Sequence, residues 1–149
     1  MRVPMKVDYG VRALVDLALN AEKKPIQAAE IAARQQIPEP YLEQLMSTLH
    51  KSGYVYSRRG PQGGHLLAKQ PTDISLGMVI NSLEGNPVPL DCINTPGECG
   101  VYTVCAQREV WESVDKAITQ VLDATTIADL ASRQREREGV SQKMEPNKV

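Results

Sequence analysis

The stretch "PIQAAEIAARQQIPEPYLEQLMSTLHKSGYVYSRRGPQGGHLLAK", residues 25–69, leaves little choice of architecture. Ala28, Ile31 and Ala32 recur at helical spacing and mark a helix of about two turns. The pattern breaks at Gln36-Ile37-Pro38. It restarts with Tyr41, Leu42, Leu45, Met46 and Leu49, and ends near Ser52-Gly53. Pro38 and Pro40 suit the start of the second helix, where a missing N–H costs little. Two short helices around a three- to four-residue turn make a helix-turn-helix pattern. The chain then switches to two short strands, Tyr54–Arg58 and His65–Lys69, around a Gly/Pro-rich hairpin whose tip carries Arg58 and Arg59. A basic hairpin directly after the second helix is the wing of a winged helix. The order helix, helix-turn-helix, hairpin is far more restrictive than any one part.

The flanking segments fit a mainly α chain with this one small β element. Val7, Val11, Leu14, Val15, Ala18 and Leu19 define an amphipathic helix over 5–21. "DISLGMVINSLEG" gives another helix closed by Gly85, followed by a loop. From about Val104 to Asp123 runs one long helix. Val110, Val114, Ile118, Val121 and Leu122 are placed on one face with Trp111 beside them, too apolar a stripe for a helix lying alone, so a dimer interface is expected there. Thr125 or Thr126 caps a last short helix with Asp129 in its first turn. The organisation expected is a winged helix-turn-helix domain at 1–85, a cysteine-containing loop at 86–104, a dimerisation helix and short C-terminal helix at 105–133, and a polar, aperiodic tail at 134–149 without fixed structure.

Charge divides the chain. Residues 1–70 hold ten Lys/Arg against six Asp/Glu, a balance of +4; residues 71–149 hold seven against twelve, a balance of −5, which together give the net −1. A basic half on a near-neutral protein fits a polyanion-binding module joined to something else. No apolar run approaches the ~20 residues of a membrane span. The N-terminus is amphipathic rather than secretory, so a cytoplasmic protein with reduced thiols and no membrane partner is expected. All the cysteines, Cys92, Cys99 and Cys105, stand within "LDCINTPGECGVYTVCAQ" with the spacing C-x6-C-x5-C. Gly97 and Gly100 let a loop wrap three sulfurs around one object, which a helix with this spacing cannot do. Thiolates suit iron–sulfur clusters, zinc or copper(I). Three ligands leave a four-ligand site one short. There is no C-x-x-C, no Cys/His pair in register and no phosphate-binding glycine loop, because "GPQGG" lies in a hairpin; an enzyme is not expected.

"VDYGVRALVDLA", "YLEQLMSTLHKSGYVYSRRGPQGGHLLAK", "ISLGMVINSLEG" and the three-cysteine loop before a long helix resemble the Rrf-two family of bacterial transcription regulators, over residues 1–132. The resemblance implies a winged-helix homodimer with crossed long helices on a palindromic double-stranded DNA operator. For members with three cysteines it implies an iron–sulfur cluster. In the cluster-biogenesis branch a histidine two residues after the last cysteine completes a 2Fe–2S site; here that position is Gln107, a poor iron ligand. In a nitric-oxide-sensing branch an aspartate in the first helix of the other subunit ligates a 4Fe–4S cluster, and Asp8 stands at that place in "VDYGVRAL". The expected ligands are therefore Cys92, Cys99, Cys105 and Asp8 from the partner subunit, with 4Fe–4S favoured over 2Fe–2S. The expected function is a repressor whose operator binding responds to nitric oxide, iron or redox state. The alternative is a regulator of the same fold controlled by thiol oxidation, zinc or a protein partner.

The resemblance also places the DNA. A helix in the major groove reads base edges from its N-terminal residues, here Glu39, Tyr41, Glu43 and Gln44, with Ser47 one turn on. Gln44 can pair with adenine, and Glu43 can accept from cytosine N4–H while repelling phosphate elsewhere. Arg58 and Arg59 would enter a minor groove or grip phosphate, with Gly60 and Gln62 beside them at the hairpin tip. Leu42, Leu45 and Leu49 are expected in the core.

Overall fold

The computed structural model describes residues 2–20, 24–85 and 88–144. The first helix, α1 (Met5–Leu19), buries Val7, Ala13, Leu14, Val15 and Leu17 along one side. Its apolar spacing fixes that side, and every later element of the winged domain is laid around it. Helix α2 (Ala28–Gln35) and helix α3 (Glu39–Lys51) form the helix-turn-helix. The turn needs Gln36 in the left-handed region at φ 53°, and Ile37 donates its N–H to Ala32 O at 3.0 Å. That closes the α2 C-terminus without the glycine usual at such a position. Strands β1 (Val55–Arg58) and β2 (Gly64–Leu67) pair antiparallel, with Ser57 opposite His65.

The wing is joined to the body by a third rung. Ile26, just before α2, exchanges both backbone hydrogen bonds with His65, at 3.0 and 2.7 Å. This close approach requires glycine at position 64, which has φ +144°, and an added Cβ would sit 2.5 Å from Ile26 O. Helix α4 (Leu76–Glu84) is capped by Ser75 and crosses α1 closely enough that a Cβ on Gly10 would meet Leu83 Cδ1 at 2.7 Å. The core contains Leu14, Ile31, Leu42, Met46, Leu49, Ile74 and Val79, all at 0 % exposure. Leu42, Leu45 and Leu49 lie in it as expected.

Among the described residues, one charge shares this interior. Asp16 on α1 is 1 % exposed. It accepts from Arg34 Nε and Nη2, at 3.0 and 2.7 Å, and from Gln35 Nε2 at 2.9 Å. A buried carboxylate is stable only when paired and hydrogen-bonded in this way. The network ties α1 to the end of α2, and Arg12 of α1 donates to the Gln35 carbonyl at the same turn.

The C-terminal half differs from expectation in two places. Helix α6 (Ala106–Ala124) packs only part of its apolar stripe against its own chain. Trp111, Val114, Ile118 and Leu122 are half-buried as α6 packs on α4, whereas Val110 and Val121 are 61 % and 65 % exposed. The last helix, α7 (Ile127–Met144), is not short. Residues 134–144, expected as a tail without structure, continue it; residues 145–149 lie outside the described residues. Arg, Gln, Glu and Lys are good helix formers without any periodicity. The extension is held by packing of α7 on α1, by Gln134 donating to Glu138 at 3.0 Å and by the start of the helix. There Thr126 Oγ1 accepts from Asp129 N–H at 3.1 Å, while the Asp129 carboxylate accepts from Thr126 N–H at 2.9 Å. This reciprocal box satisfies two otherwise orphan donors, and it holds the Asp129 carboxyl below its usual range.

Candidate nucleic-acid interface and thiol loop

Helix α3 presents two sides because its buried residues recur at three and four. With Leu42, Leu45, Met46 and Leu49 turned inward, Glu39, Tyr41, Glu43, Gln44 and Ser47 are left exposed on the other side. Pro38 at the N-cap and Pro40 in the first turn start the helix there. The hairpin lies beside its N-terminal half. Glu39, Glu43, Arg58, Arg59 and Gly60 line one groove of about 390 Å³, together with Ser57, Gly63, Gly64 and His65. The start of α2, Gln27 to Ala29, forms the remaining wall. Gln62 is exposed at the tip. Tyr41, Gln44 and Ser47 are exposed on α3 but do not line the groove. Tyr41 instead meets Tyr9 of α1 edge to face, with ring centroids 5.7 Å apart.

Sequence reasoning gave no role to Gln27, Ser57 or His65. Gln27 donates from Nε2 to Pro61 O at 3.4 Å, linking α2 to the wing tip. His65 and Ser57 stand opposite in the ladder, with Nδ1 2.9 Å from Oγ. The Ile26 rung, which pairs residues 39 positions apart in sequence, holds His65 against this wall.

The cysteines come from three short pieces. Cys92 lies in a one-turn helix, α5 (Asp91–Asn94). Cys99 follows a 3₁₀ turn at Pro96–Glu98, and Cys105 is the N-cap of α6. The loop is organised from its own backbone: Tyr102 N–H donates to Cys99 O at 3.2 Å. Arg108 stacks 4.2 Å over the Tyr102 ring and donates to its carbonyl at 2.5 Å. Arg108 Nε lies 3.2 Å from Glu112 Oε1, close enough to attract but without hydrogen-bond alignment.

All three thiols are free and half-buried. Partial desolvation pushes the Cys92 thiol above its usual range; the charges of Cys99 and Cys105 add to the shift, as does a hydrogen bond with Cys99. Thiolates that feel one another repel, and a bound cation relieves that repulsion. The donor set therefore fits a soft metal or cluster. It supplies three ligands only: among the described residues no group of three or more His, Cys, Asp or Glu is drawn together as a finished metal site. Gln107 is exposed. Asp8 of the same chain is on α1, half-exposed, with Arg12 Nη1 at 3.5 Å.

The family model described as an iron-dependent transcriptional regulator, Rrf2, matches residues 3–133. The chain belongs to the Rrf2 family. It is 36 % identical over 130 residues to Protein rrf2 of Nitratidesulfovibrio vulgaris, covering 87 % of each chain. It is 37 % identical over 134 residues to the HTH-type transcriptional regulator IscR of Klebsiella pneumoniae, covering 90 % of this chain and 82 % of that one. Among solved structures, IscR of T. potens superposes with a TM-score of 0.75 at 40 % identity, over 92 % of this chain and 90 % of that one. CymR, the global cysteine regulator of B. subtilis, gives a TM-score of 0.75 at 35 % identity, over 89 % and 98 %. The chain is thus a winged-helix transcription regulator that binds DNA, and not an enzyme. No helix among the described residues is long and apolar enough to cross a membrane.

Proposed function

We propose that this Rrf2-family chain works as a homodimeric repressor on a palindromic operator, its grip on DNA governed by an iron–sulfur cluster on Cys92, Cys99 and Cys105. The observation that carries this reading is the presence of three half-buried soft donors in one loop at the foot of α6, with Cys92 close enough to Cys99 and Cys105 to feel their charge. A 4Fe–4S cluster is favoured, with Asp8 of the partner subunit as fourth ligand, since Gln107 offers iron no useful donor and, among the described residues, no group of three or more metal-ligating side chains is drawn together. When bound, such a cluster supplies a redox- and nitric-oxide-labile centre. The chain's own residues do the rest. The thiols hold the loop, Arg108 fixes its last turn, and the exposed Val110 and Val121 of α6 offer apolar surface to a second copy. Arg12 links Asp8 to the helix-turn-helix through the Gln35 carbonyl, so what Asp8 binds reaches the turn that leads into the reading helix. A switch of this kind needs a two-state element biased by a ligand.

On DNA, Glu39, Tyr41, Glu43, Gln44 and Ser47 would read base edges while Arg58, Arg59, Gly60 and Gln62 follow the backbone. Anaerobic purification and a visible spectrum test the cluster. A broad band near ~400 nm that bleaches with nitric oxide or oxygen is expected; colourless protein with one zinc per subunit sinks the reading. Asp8→Ala should change the rate of bleaching, and an unchanged spectrum and rate removes Asp8 as a ligand. Arg59→Ala should weaken operator binding and reduce its salt dependence by about one phosphate contact.

A second reading has its own support. The nearness of Cys99 to Cys92, which raises the Cys92 thiol pKa, would suit a thiol switch, and Staphylococcus aureus CymR, 31 % identical with a TM-score of 0.70, is known in an oxidized form. Treatment of metal-free protein with diamide, followed by mass spectrometry, distinguishes the two. A Cys92–Cys99 disulfide that alters operator affinity favours the thiol switch; a disulfide without effect on DNA removes it.

A further inference from the structure

The groove between α3 and the wing contains an imidazole that neither the DNA-reading face nor the thiol loop has used. His65 is fixed on both sides. Its backbone is locked to Ile26, and its Nδ1 is 2.9 Å from Ser57 Oγ. The ring can therefore change charge without leaving the groove. The groove brings it together with Glu39 and Glu43 from α3 and with Arg58 and Arg59 from the hairpin. Two charged neighbours act on it: Glu43 favours the protonated ring, and His50, whose own Nδ1 is 2.9 Å from Val55 O, opposes it. Helix α1 also packs on β2, but its buried carboxylate, Asp16, is committed to Arg34 and Gln35.

We propose that His65 is a specificity-determining residue whose charge decides how strongly Glu43 rejects wrong DNA. This rests on Glu43 facing the bases as proposed above. A carboxylate in a DNA groove is tolerated where a base donates to it and repelled by phosphate and acceptors elsewhere. A neutral His65 leaves that carboxylate at full charge, so discrimination is strong. A protonated His65 attracts Glu43 across the groove and adds a positive charge there. Rejection weakens and sequence-independent affinity rises. Desolvation, partly offset by Glu43, holds the ring below its usual 6.5, so it is neutral near pH 7 and charges only in mild acid. Discrimination is then strongest above the transition and falls as pH drops through it.

The test uses the full-length dimer, an operator selected from random duplexes at pH 7.5 and a scrambled duplex of equal length. Anisotropy titrations run from pH 5 to pH 8 at constant ionic strength. In the wild type the ratio of operator to scrambled affinity should fall on the order of tenfold on acidification. In His65→Gln, or in His65→Asn if the first variant is unstable, the ratio should stay at its pH 7.5 value throughout. His50→Gln should keep the fall in discrimination but move it toward higher pH, because it removes a charge that opposes protonation of His65. A His65 variant that follows the wild-type profile overturns the inference about His65 alone. A Glu43→Gln variant that discriminates as well as the wild type overturns the reading role of Glu43, and the coupling with it.

Discussion

The winged body and the loop with α6 are built on opposite terms. In the body, α1 to α4 share one interior in which Leu14, Ile31, Leu42 and Ile74 have no exposed surface. In α6, nineteen residues long, not one is buried. The body thus completes its core within one chain. Helix α6 leaves Val110 and Val121 in water, and the cysteine loop is held by its own turns and by Arg108. A region that finishes its own packing supports recognition by fixed geometry. A region left unfinished is suited to respond to what it binds, whether a second copy or a metal.

The sharpest test of that contrast is a pair of truncations. Leu14→Ala should cost about 2–5 kcal/mol in urea denaturation, because a rigid interior cannot refill the cavity. Ser113→Ala on exposed α6 should cost less than about 0.5 kcal/mol, and equal losses would remove the distinction. Next in size is assembly: Val110→Lys with Val121→Lys should convert dimer to monomer in sedimentation equilibrium while far-UV circular dichroism holds. A dimer that survives both charges would place the interface elsewhere. Third, Cys99→Ala should abolish the visible absorption yet leave the unfolding midpoint in place, whereas unfolding would make the loop structural. The smallest effect belongs to the α7 cap. Thr126→Ala should cost about 1 kcal/mol. Because the folded Asp129 carboxyl lies below its usual range, its contribution is present above its unfolded pKa and lost as pH falls through the folded one. The variant should therefore show a shallower loss of stability in acid.

The body was legible because its signals are local. Leu42, Leu45 and Leu49 repeat at helical spacing, Pro38 and Pro40 mark a helix start, and Gly60, Gly63 and Gly64 mark a hairpin. The contacts that finish it were not legible. Nothing near Ile26 announces a rung to His65, and nothing near Asp16 announces a guanidinium from the next helix. The α7 extension was missed for a different reason. "SRQREREGVSQK" has no apolar period, and a helix held by propensity and one packed flank leaves no pattern to count. The stripe on α6 is legible, but 3.6-residue spacing alone does not say how much of it the chain's own domain will cover.

The sequence by itself determined the order of elements, the basic hairpin, the family, and three cysteines close together in one segment. These follow from residue identity and spacing, which act within a turn or two. Tertiary structure alone decided that Asp16 is buried against Arg34, that His65 and Glu43 line one groove, that Cys92 feels the charges of Cys99 and Cys105, and that Val110 and Val121 are left outside. Each depends on which distant surfaces exclude water, and desolvation and close charge exist only once those surfaces have met.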